Sequence, residues 1–117
     1  MLLETLQRKA AKRGFAWDDV AGPLAKLVEE VDELRAAVAG AGSGGDDEVA
    51  RELGDVFGAA VAVARALDLD ADAVARRAAS RFRARFEAVL ATAAADGVDL
   101  AELTTEEWLR RWAAAAA

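Results

Sequence analysis

The sequence predicts an all-α protein, a bundle of about five helices, and two observations favour that fold class. Alanine, leucine, arginine and glutamate, which all form helices readily, dominate the chain, and Pro23 is its only proline. β-Branched and aromatic residues do not alternate with polar residues for long, so strands are not expected. A chain of 117 residues is long enough for one modest core. Residues 1–117 should therefore form a single domain.

The first predicted helix runs from Leu2 to Lys12 and stops at Gly14. Phe15 and Trp17 follow in a turn. We expect the rings of both residues to cover the core.

A second helix should begin near Asp18 or Asp19 and reach Ala39, because Pro23 falls in its opening turn, where proline is tolerated. Apolar residues recur along it at intervals of three and four, which is typical of a helix with one apolar stripe. The stripe consists of Leu24, Leu27, Val28, Val31, Leu34 and Val38.

The glycine-rich residues 40–45 predict a surface connection, after which Asp46 or Asp47 should cap a third helix that reaches Leu67. Between Val56 and Ala64 this helix is apolar on all sides. Such a helix is normally buried all round, either by its own domain or by a second subunit. We therefore expect a homo-oligomer.

The fourth helix should begin at Asp70 or Asp72 and end before Gly97. Thr104 and Glu107 have the spacing of a capping box. In this motif, which marks the start of a helix, each side chain accepts a hydrogen bond from the backbone N–H of the other residue. They predict a short last helix.

The chain has no cysteine and no histidine, two residue types that often act in catalysis and in metal binding. Disulfides, zinc sites, cysteine nucleophiles and histidine bases are thereby excluded. Any metal must be held by oxygen atoms. This favours Mg²⁺, with Mn²⁺ as a substitute.

The net charge of −6 argues against nucleic acid as a partner, since a phosphate backbone selects basic surfaces. The longest uncharged run, Val56 to Ala64, is too short to span a bilayer. We expect no membrane association and a soluble, cytoplasmic protein.

Two acid pairs carry the clearest chemical signal. Glu30 and Glu33 lie three residues apart on the second helix, as do Glu52 and Asp55 on the third, so each pair shares one helix face. When the apolar stripes pack, the four carboxylates can meet. They would repel one another unless a divalent cation lay between them. Solvated faces of amphipathic helices would give the same pattern, and the spacing alone leaves that alternative open.

Three further features fit an anionic nucleotide, and each has a structural alternative. Arg81 and Arg85 offer planar donors that suit phosphate oxygens, or they form a solvated face. Trp108 could stack on a base or anchor the core. Gly54 lies inside the third helix at a cost of roughly 1 kcal/mol relative to alanine. Close approach by a ligand or by another helix would explain it.

In their order along the chain, these features resemble the MazG family of nucleoside triphosphate pyrophosphohydrolases. The motifs that carry the resemblance are GFAW at 14–17, EEVDE at 29–33, ELGD at 52–55, RFRARF at 81–86 and EEW at 106–108. The resemblance implies a MazG-like helical fold, a homodimer or homotetramer, and Mg²⁺-dependent cleavage of a nucleoside triphosphate between its α and β phosphates. It implies four catalytic metal ligands, Glu30, Glu33, Glu52 and Asp55.

The resemblance also implies phosphate contacts for Arg81 and Arg85 and a base contact for Trp108. The chain departs from the family's pattern at Glu48, where relatives often have a basic residue, and at Trp112, where they have lysine. A narrower enzyme, such as a dUTPase-like or phosphoribosyl-ATP pyrophosphatase, is therefore an alternative. A catalytically silent helical oligomer that binds a nucleotide or a protein is another.

Overall fold

The computed structural model describes residues 1–116, apart from the side chains of residues 41–44. The helices are α1 (Leu2–Lys12), α2 (Ala21–Ala39), α3 (Ala41–Ala66), α4 (Ala71–Ala95) and α5 (Thr105–Ala114), with one 3-10 turn at Leu100–Glu102. These described residues contain no strand, so the all-α prediction is confirmed. Within the same residues, no helix combines the length and the apolar character needed to cross a membrane.

The chain divides into two compact units, which we call unit 1 (Met1–Ala73) and unit 2 (the residues from Val74 onward). In unit 1, α2 packs against α3, and α1 also packs against α3. The Gln7 side-chain Nε2 donates a hydrogen bond to the Gly58 carbonyl oxygen at 2.8 Å, which ties α1 to α3. The expectation of one domain over residues 1–117 stays a prediction.

Asp19 and Pro23, two residues that the sequence places at the start of α2, both contribute to that helix start. The Asp19 Oδ1 accepts a hydrogen bond from the Ala21 N–H at 2.9 Å, so the aspartate turns the chain into the helix. Pro23 lies in the first turn and is buried. Gly14, which follows the C-terminal end of α1, has a φ of 103°, a value that glycine adopts without steric cost.

The glycine-rich segment differs from the predicted connection. Helix α3 is assigned from Ala41, and the break within it is confined to Gly45, whose φ of 75° and ψ of 178° are not helical. One glycine with positive φ is therefore enough to separate the short helical piece from the rest of α3. The predicted end near Leu67 is confirmed, since Leu67 is the residue that follows the last helical position.

Unit 2 is held together by contacts between aromatic rings and by an ion pair. The Phe82 and Trp112 ring centroids lie 4.9 Å apart, and those of Phe86 and Trp108 lie 6.2 Å apart with nearly parallel planes. The Arg111 Nη1 bonds to the Asp96 Oδ2 at 3.0 Å. These contacts join α5 to α4.

The Thr104 half of the predicted capping box is present at the start of α5, and the Glu107 carboxylate accepts from the Thr104 hydroxyl group. The Thr104 Oγ1 accepts from the Glu107 N–H at 3.2 Å and donates to the Glu107 Oε1 at 3.0 Å. Thr104→Ala should lower the free energy of unfolding by about 1 kcal/mol, measured by urea denaturation. Thr105→Ala is the matched control, because Thr105 is the first helical residue and not the cap. Equal losses in the two variants would contradict the capping role.

Large apolar side chains remain exposed in unit 1. Phe57, in the all-apolar part of α3, is 59% exposed, although its neighbours Ala59 and Val61 are buried. Phe15 was expected to cover the core and is 78% exposed, so for this residue the expectation is wrong. Trp17 is 48% exposed, and its ring packs against Gly22 of α2, where an added Cβ would overlap it. Four residues of the predicted α2 stripe are also exposed, namely Leu24, Val28, Val31 and Val38.

Candidate functional site

The packing of α2 against α3 brings three of the four predicted carboxylates together. Glu30, Glu33 and Glu52 each offer one carboxylate oxygen, and the three oxygens lie within 4.8 Å of one another. Glu30 and Glu33 share a face of α2 because they are three residues apart, and Glu52 approaches them from α3. We call these three residues the carboxylate cluster.

Two oxygens of the carboxylate cluster are buried without a partner. Glu30 is only 6% exposed. Neither the Glu30 Oε2 nor the Glu52 Oε2 has a hydrogen-bond partner among the residues that the structure describes. A buried, unpaired carboxylate oxygen is costly, so folding alone does not favour this arrangement. A cation bound between these oxygens would satisfy both.

Lys26 partly neutralises the cluster, a contact that the sequence reasoning missed. Its Nζ lies 3.0 Å from the Glu30 Oε1 and 3.3 Å from the Glu29 Oε1. These hydrogen bonds to Glu30 and Glu29 raise the pKa of Lys26 above its usual value. The signal was present in the sequence, because Lys26 precedes Glu30 by four residues and therefore lies on the same helix face.

The pKa of Glu33 reflects the repulsion between carboxylates within the cluster. The hydrogen bond between its carboxyl group and Glu30 raises the pKa of Glu33, and the negative charges of Glu30 and Glu52 raise it further. The positive charge of a bound cation would relieve this repulsion. The donor set consists entirely of carboxylate oxygens, which suits a hard divalent cation such as Mg²⁺ or Mn²⁺.

Asp55, the fourth predicted ligand, does not belong to the group of three, but it lies nearby. Asp55, Glu30 and Lys26 line one cavity of unit 1, with a volume of about 320 Å³. Mostly apolar residues from α1, the following turn and α3 line the rest of it, together with the polar Gln7 and the charged Arg65. We call this space the unit 1 cavity.

A second acidic group in unit 1 has a different environment. Glu4, Asp70 and Asp72 also offer oxygens within 4.8 Å of one another. The Glu4 Oε2 accepts from the Ala71 N–H, and the Asp70 Oδ1 accepts from the Asp72 and Ala73 N–H groups. These bonds satisfy N–H groups at the start of α4. This group therefore has a structural explanation in helix capping.

The predicted substrate-binding residues Arg81, Arg85 and Trp108 all lie in unit 2. Arg81 and Arg85 line a cavity of about 520 Å³ together with Phe82 and Trp112. The Arg85 Nε donates to the Trp112 carbonyl oxygen at 2.8 Å, and the Arg85 Cζ lies 4.5 Å from the centre of the Trp112 ring. The Trp108 ring stacks on Phe86, as a packing residue would.

Comparison with protein families gives one match that covers most of the chain. The sequence model of the MazG nucleotide pyrophosphohydrolase domain matches residues 11–90. The matched segment contains all three residues of the carboxylate cluster, as well as Asp55, Arg81 and Arg85. It ends before Trp108.

Curated proteins give the same result. A nucleoside triphosphate pyrophosphohydrolase/pyrophosphatase MazG of Thermotoga maritima is 31% identical over 107 residues, which is 92% of this chain and 40% of that protein. A nucleoside triphosphate pyrophosphohydrolase of Escherichia coli K12 is 28% identical over 116 residues, or 96% of this chain and 42% of that protein. The chain thus spans about two fifths of the length of these relatives.

Proposed function

Because this chain belongs to the MazG nucleotide pyrophosphohydrolase family, we propose that it hydrolyses nucleoside triphosphates to a monophosphate and pyrophosphate. The observation that carries the proposal is the carboxylate cluster, with its two buried and unpartnered oxygens. The reaction would be Mg²⁺-dependent and would serve nucleotide-pool housekeeping in the cytoplasm, on canonical or non-canonical nucleotides. A single MazG-like unit, residues 1–117, would carry it out.

Glu30, Glu33 and Glu52 would hold the metal, and Asp55 would complete the set from the wall of the unit 1 cavity. When bound, Mg²⁺ supplies positive charge to the triphosphate and lowers the pKa of an attacking water. Glu30 and Glu52 would contribute their unpartnered oxygens, and Glu33 would contribute a third carboxylate oxygen. With no histidine in the chain, a carboxylate is the available general base.

Arg81 and Arg85 are proposed to hold phosphate oxygens, and Trp108 to contact the base. Guanidinium groups donate paired N–H bonds in a geometry that suits phosphate. Trp112 holds the Arg85 side chain in place, because its carbonyl oxygen accepts a hydrogen bond from Arg85 and its ring contacts the guanidinium group. Support for these three roles comes from residue chemistry and from the family's motif order.

A homodimer or homotetramer is part of the proposal, because exposed apolar patches on α2 and α3 would be covered by a second copy. Leu24, Val28, Val31 and Phe57 are all exposed in the single chain. Phe57→Glu should shift the protein from an oligomer to a monomer of 12.3 kDa in light scattering coupled to size exclusion. Leu2→Glu, at a still more exposed site on α1, is the control. A monomeric wild-type protein would contradict the assembly.

The function is tested by a panel of nucleoside triphosphates, incubated with pure protein and Mg²⁺ or with a chelator. Turnover of several triphosphates that stops with the chelator supports the proposal. Turnover of dUTP alone or of phosphoribosyl-ATP alone would indicate one of the narrower enzymes. Calorimetry with Mn²⁺ tests whether the same protein binds metal. If it binds Mn²⁺ but turns over none of the substrates, it would instead be a catalytically silent oligomer.

A further inference from the structure

Lys26 brings a positive charge to the edge of the carboxylate cluster. Its Nζ lies 3.0 Å from the Glu30 Oε1 and 3.3 Å from the Glu29 Oε1. A lysine ammonium group is charged at neutral pH. Glu30 is the most buried member of the cluster, so its charge is the one that water screens least. Lys26 therefore acts on the carboxylate where a counter-charge has the largest effect.

The ammonium group of Lys26 leaves part of the cluster without a partner. It contacts Glu30 at the Oε1 atom. The Glu30 Oε2 and the Glu52 Oε2 are buried, and neither has a hydrogen-bond partner in the part of the chain that the structure describes. A metal ion bound at these two oxygens would share the Glu30 carboxylate with Lys26. The two cations would then repel each other across one side chain.

Arg51 also approaches the cluster, but its contact is weaker. Its Nη2 lies 3.9 Å from the Glu52 Oε1, and its side chain is 69% exposed. Exposed ion pairs of this kind contribute little to stability. Lys26 is less exposed, at 43%, and its partner Glu30 is buried. Of these two basic residues, Lys26 is thus the one expected to influence the cluster.

We propose that Lys26 is a built-in counter-ion of the carboxylate cluster, which stabilises the metal-free protein and lowers the affinity of the cluster for a divalent cation. The inference rests on the proposed function, because it takes the cluster to be a metal site. Both effects come from one charge. Without metal, the ammonium group offsets repulsion among the carboxylates. With metal, it repels the cation bound beside it.

Lys26→Met tests both effects, because it removes the charge and keeps an unbranched side chain. It should lower the melting temperature of the metal-free protein by a few degrees, since the buried Glu30 loses its counter-ion. It should also tighten Mn²⁺ binding by about tenfold, an effect that partial exposure of Lys26 keeps moderate. Stability is measured by thermal unfolding in a chelator. Affinity is measured by calorimetric titration with Mn²⁺ at about pH 8, where protons compete little for carboxylates.

Two further variants at the same position separate charge from hydrogen bonding. Lys26→Gln loses the charge but keeps an N–H donor for Glu30, and it should tighten Mn²⁺ binding as the methionine variant does. Lys26→Arg keeps the charge and should leave the dissociation constant within about twofold of the wild-type value. Circular dichroism checks that each variant keeps its helices.

Arg35→Met is the matched control for the loss of one positive charge from α2. Arg35 pairs with Asp32 at 3.9 Å and is 79% exposed. Its removal should change neither the melting temperature nor the Mn²⁺ affinity noticeably, because a well-solvated pair contributes little. Equal tightening by Arg35→Met and Lys26→Met would overturn the inference, since net charge alone would then explain the result.

A lysine with a purely structural role would give a different pattern. It would lower the melting temperature in Lys26→Met while Mn²⁺ binding stayed unchanged or became weaker. That outcome, or an unchanged melting temperature, would overturn the counter-ion role. If the wild-type protein binds Mn²⁺, this failure leaves the proposed function intact. Absence of Mn²⁺ binding in both the wild-type protein and Lys26→Met would overturn the proposed metal site and the inference together.

Discussion

Glu52→Gln should abolish turnover and, in the absence of metal, raise the melting temperature. Turnover falls because glutamine cannot supply the anionic oxygen that holds the cation. Loss of metal-assisted catalysis is worth several kcal/mol, so we expect a decrease of about a thousandfold or more. The melting temperature rises because one of three crowded carboxylates loses its charge. A few degrees corresponds to roughly 1 kcal/mol in a domain of this size.

The measurement pairs steady-state hydrolysis with thermal unfolding in a chelator, followed by circular dichroism. Glu4→Gln is the matched control, because Glu4 belongs to the acidic group that caps α4 and its amide variant can still accept the Ala71 N–H. It should keep full turnover. If Glu52→Gln retained wild-type turnover, or if it lowered the melting temperature of the metal-free protein, the carboxylate cluster would not be a metal site.

A divalent cation should stabilise the wild-type protein strongly. Mg²⁺ or Mn²⁺ binds the folded chain, where the carboxylate cluster is assembled, and not the unfolded chain. Such linkage contributes about 2.7 kcal/mol at a concentration one hundred times the dissociation constant. The measurement is the melting temperature as a function of Mn²⁺ concentration, at constant ionic strength.

The same titration of Glu30→Gln should give no stabilisation, since this variant loses the most buried member of the cluster. Glu4→Gln should respond as the wild type does. The metal assignment would be refuted by the reverse pattern, in which Glu4→Gln loses the response and Glu30→Gln keeps it.

The helices were predictable because their boundaries depend on local chemistry. Gly14 ends the first helix region, and Thr104 with Glu107 starts α5, as predicted. The glycine-rich segment was less predictable, since the sequence does not indicate which glycine takes a positive φ. Gly45 alone breaks α3.

The exposure of side chains was not predictable, because a periodic apolar stripe indicates that a face is covered but not what covers it. Val28 and Phe57 belong to predicted apolar faces and are exposed in the single chain. Phe15 and Trp17 were assigned to the core for their size alone. The Trp17 ring nevertheless packs against Gly22 of α2, whereas Phe15 is exposed.

Within the candidate site, the spacing of acids predicted the convergence of Glu30, Glu33 and Glu52, because helix periodicity fixes which side chains share a face. It did not predict that Asp55 stands apart from them, since that depends on the rotation of α3 against α2. The neutralising contact of Lys26 was visible in the sequence as an i, i+4 pair. The cavity required three elements, and no local pattern encodes it.

The most direct test of the central claim is to identify the products that the wild-type protein forms from a nucleoside triphosphate and Mg²⁺. Ion-exchange chromatography separates the two possible product pairs. Cleavage between the α and β phosphates predicts a nucleoside monophosphate and pyrophosphate in equal amounts. A nucleoside diphosphate and orthophosphate would contradict the proposed reaction.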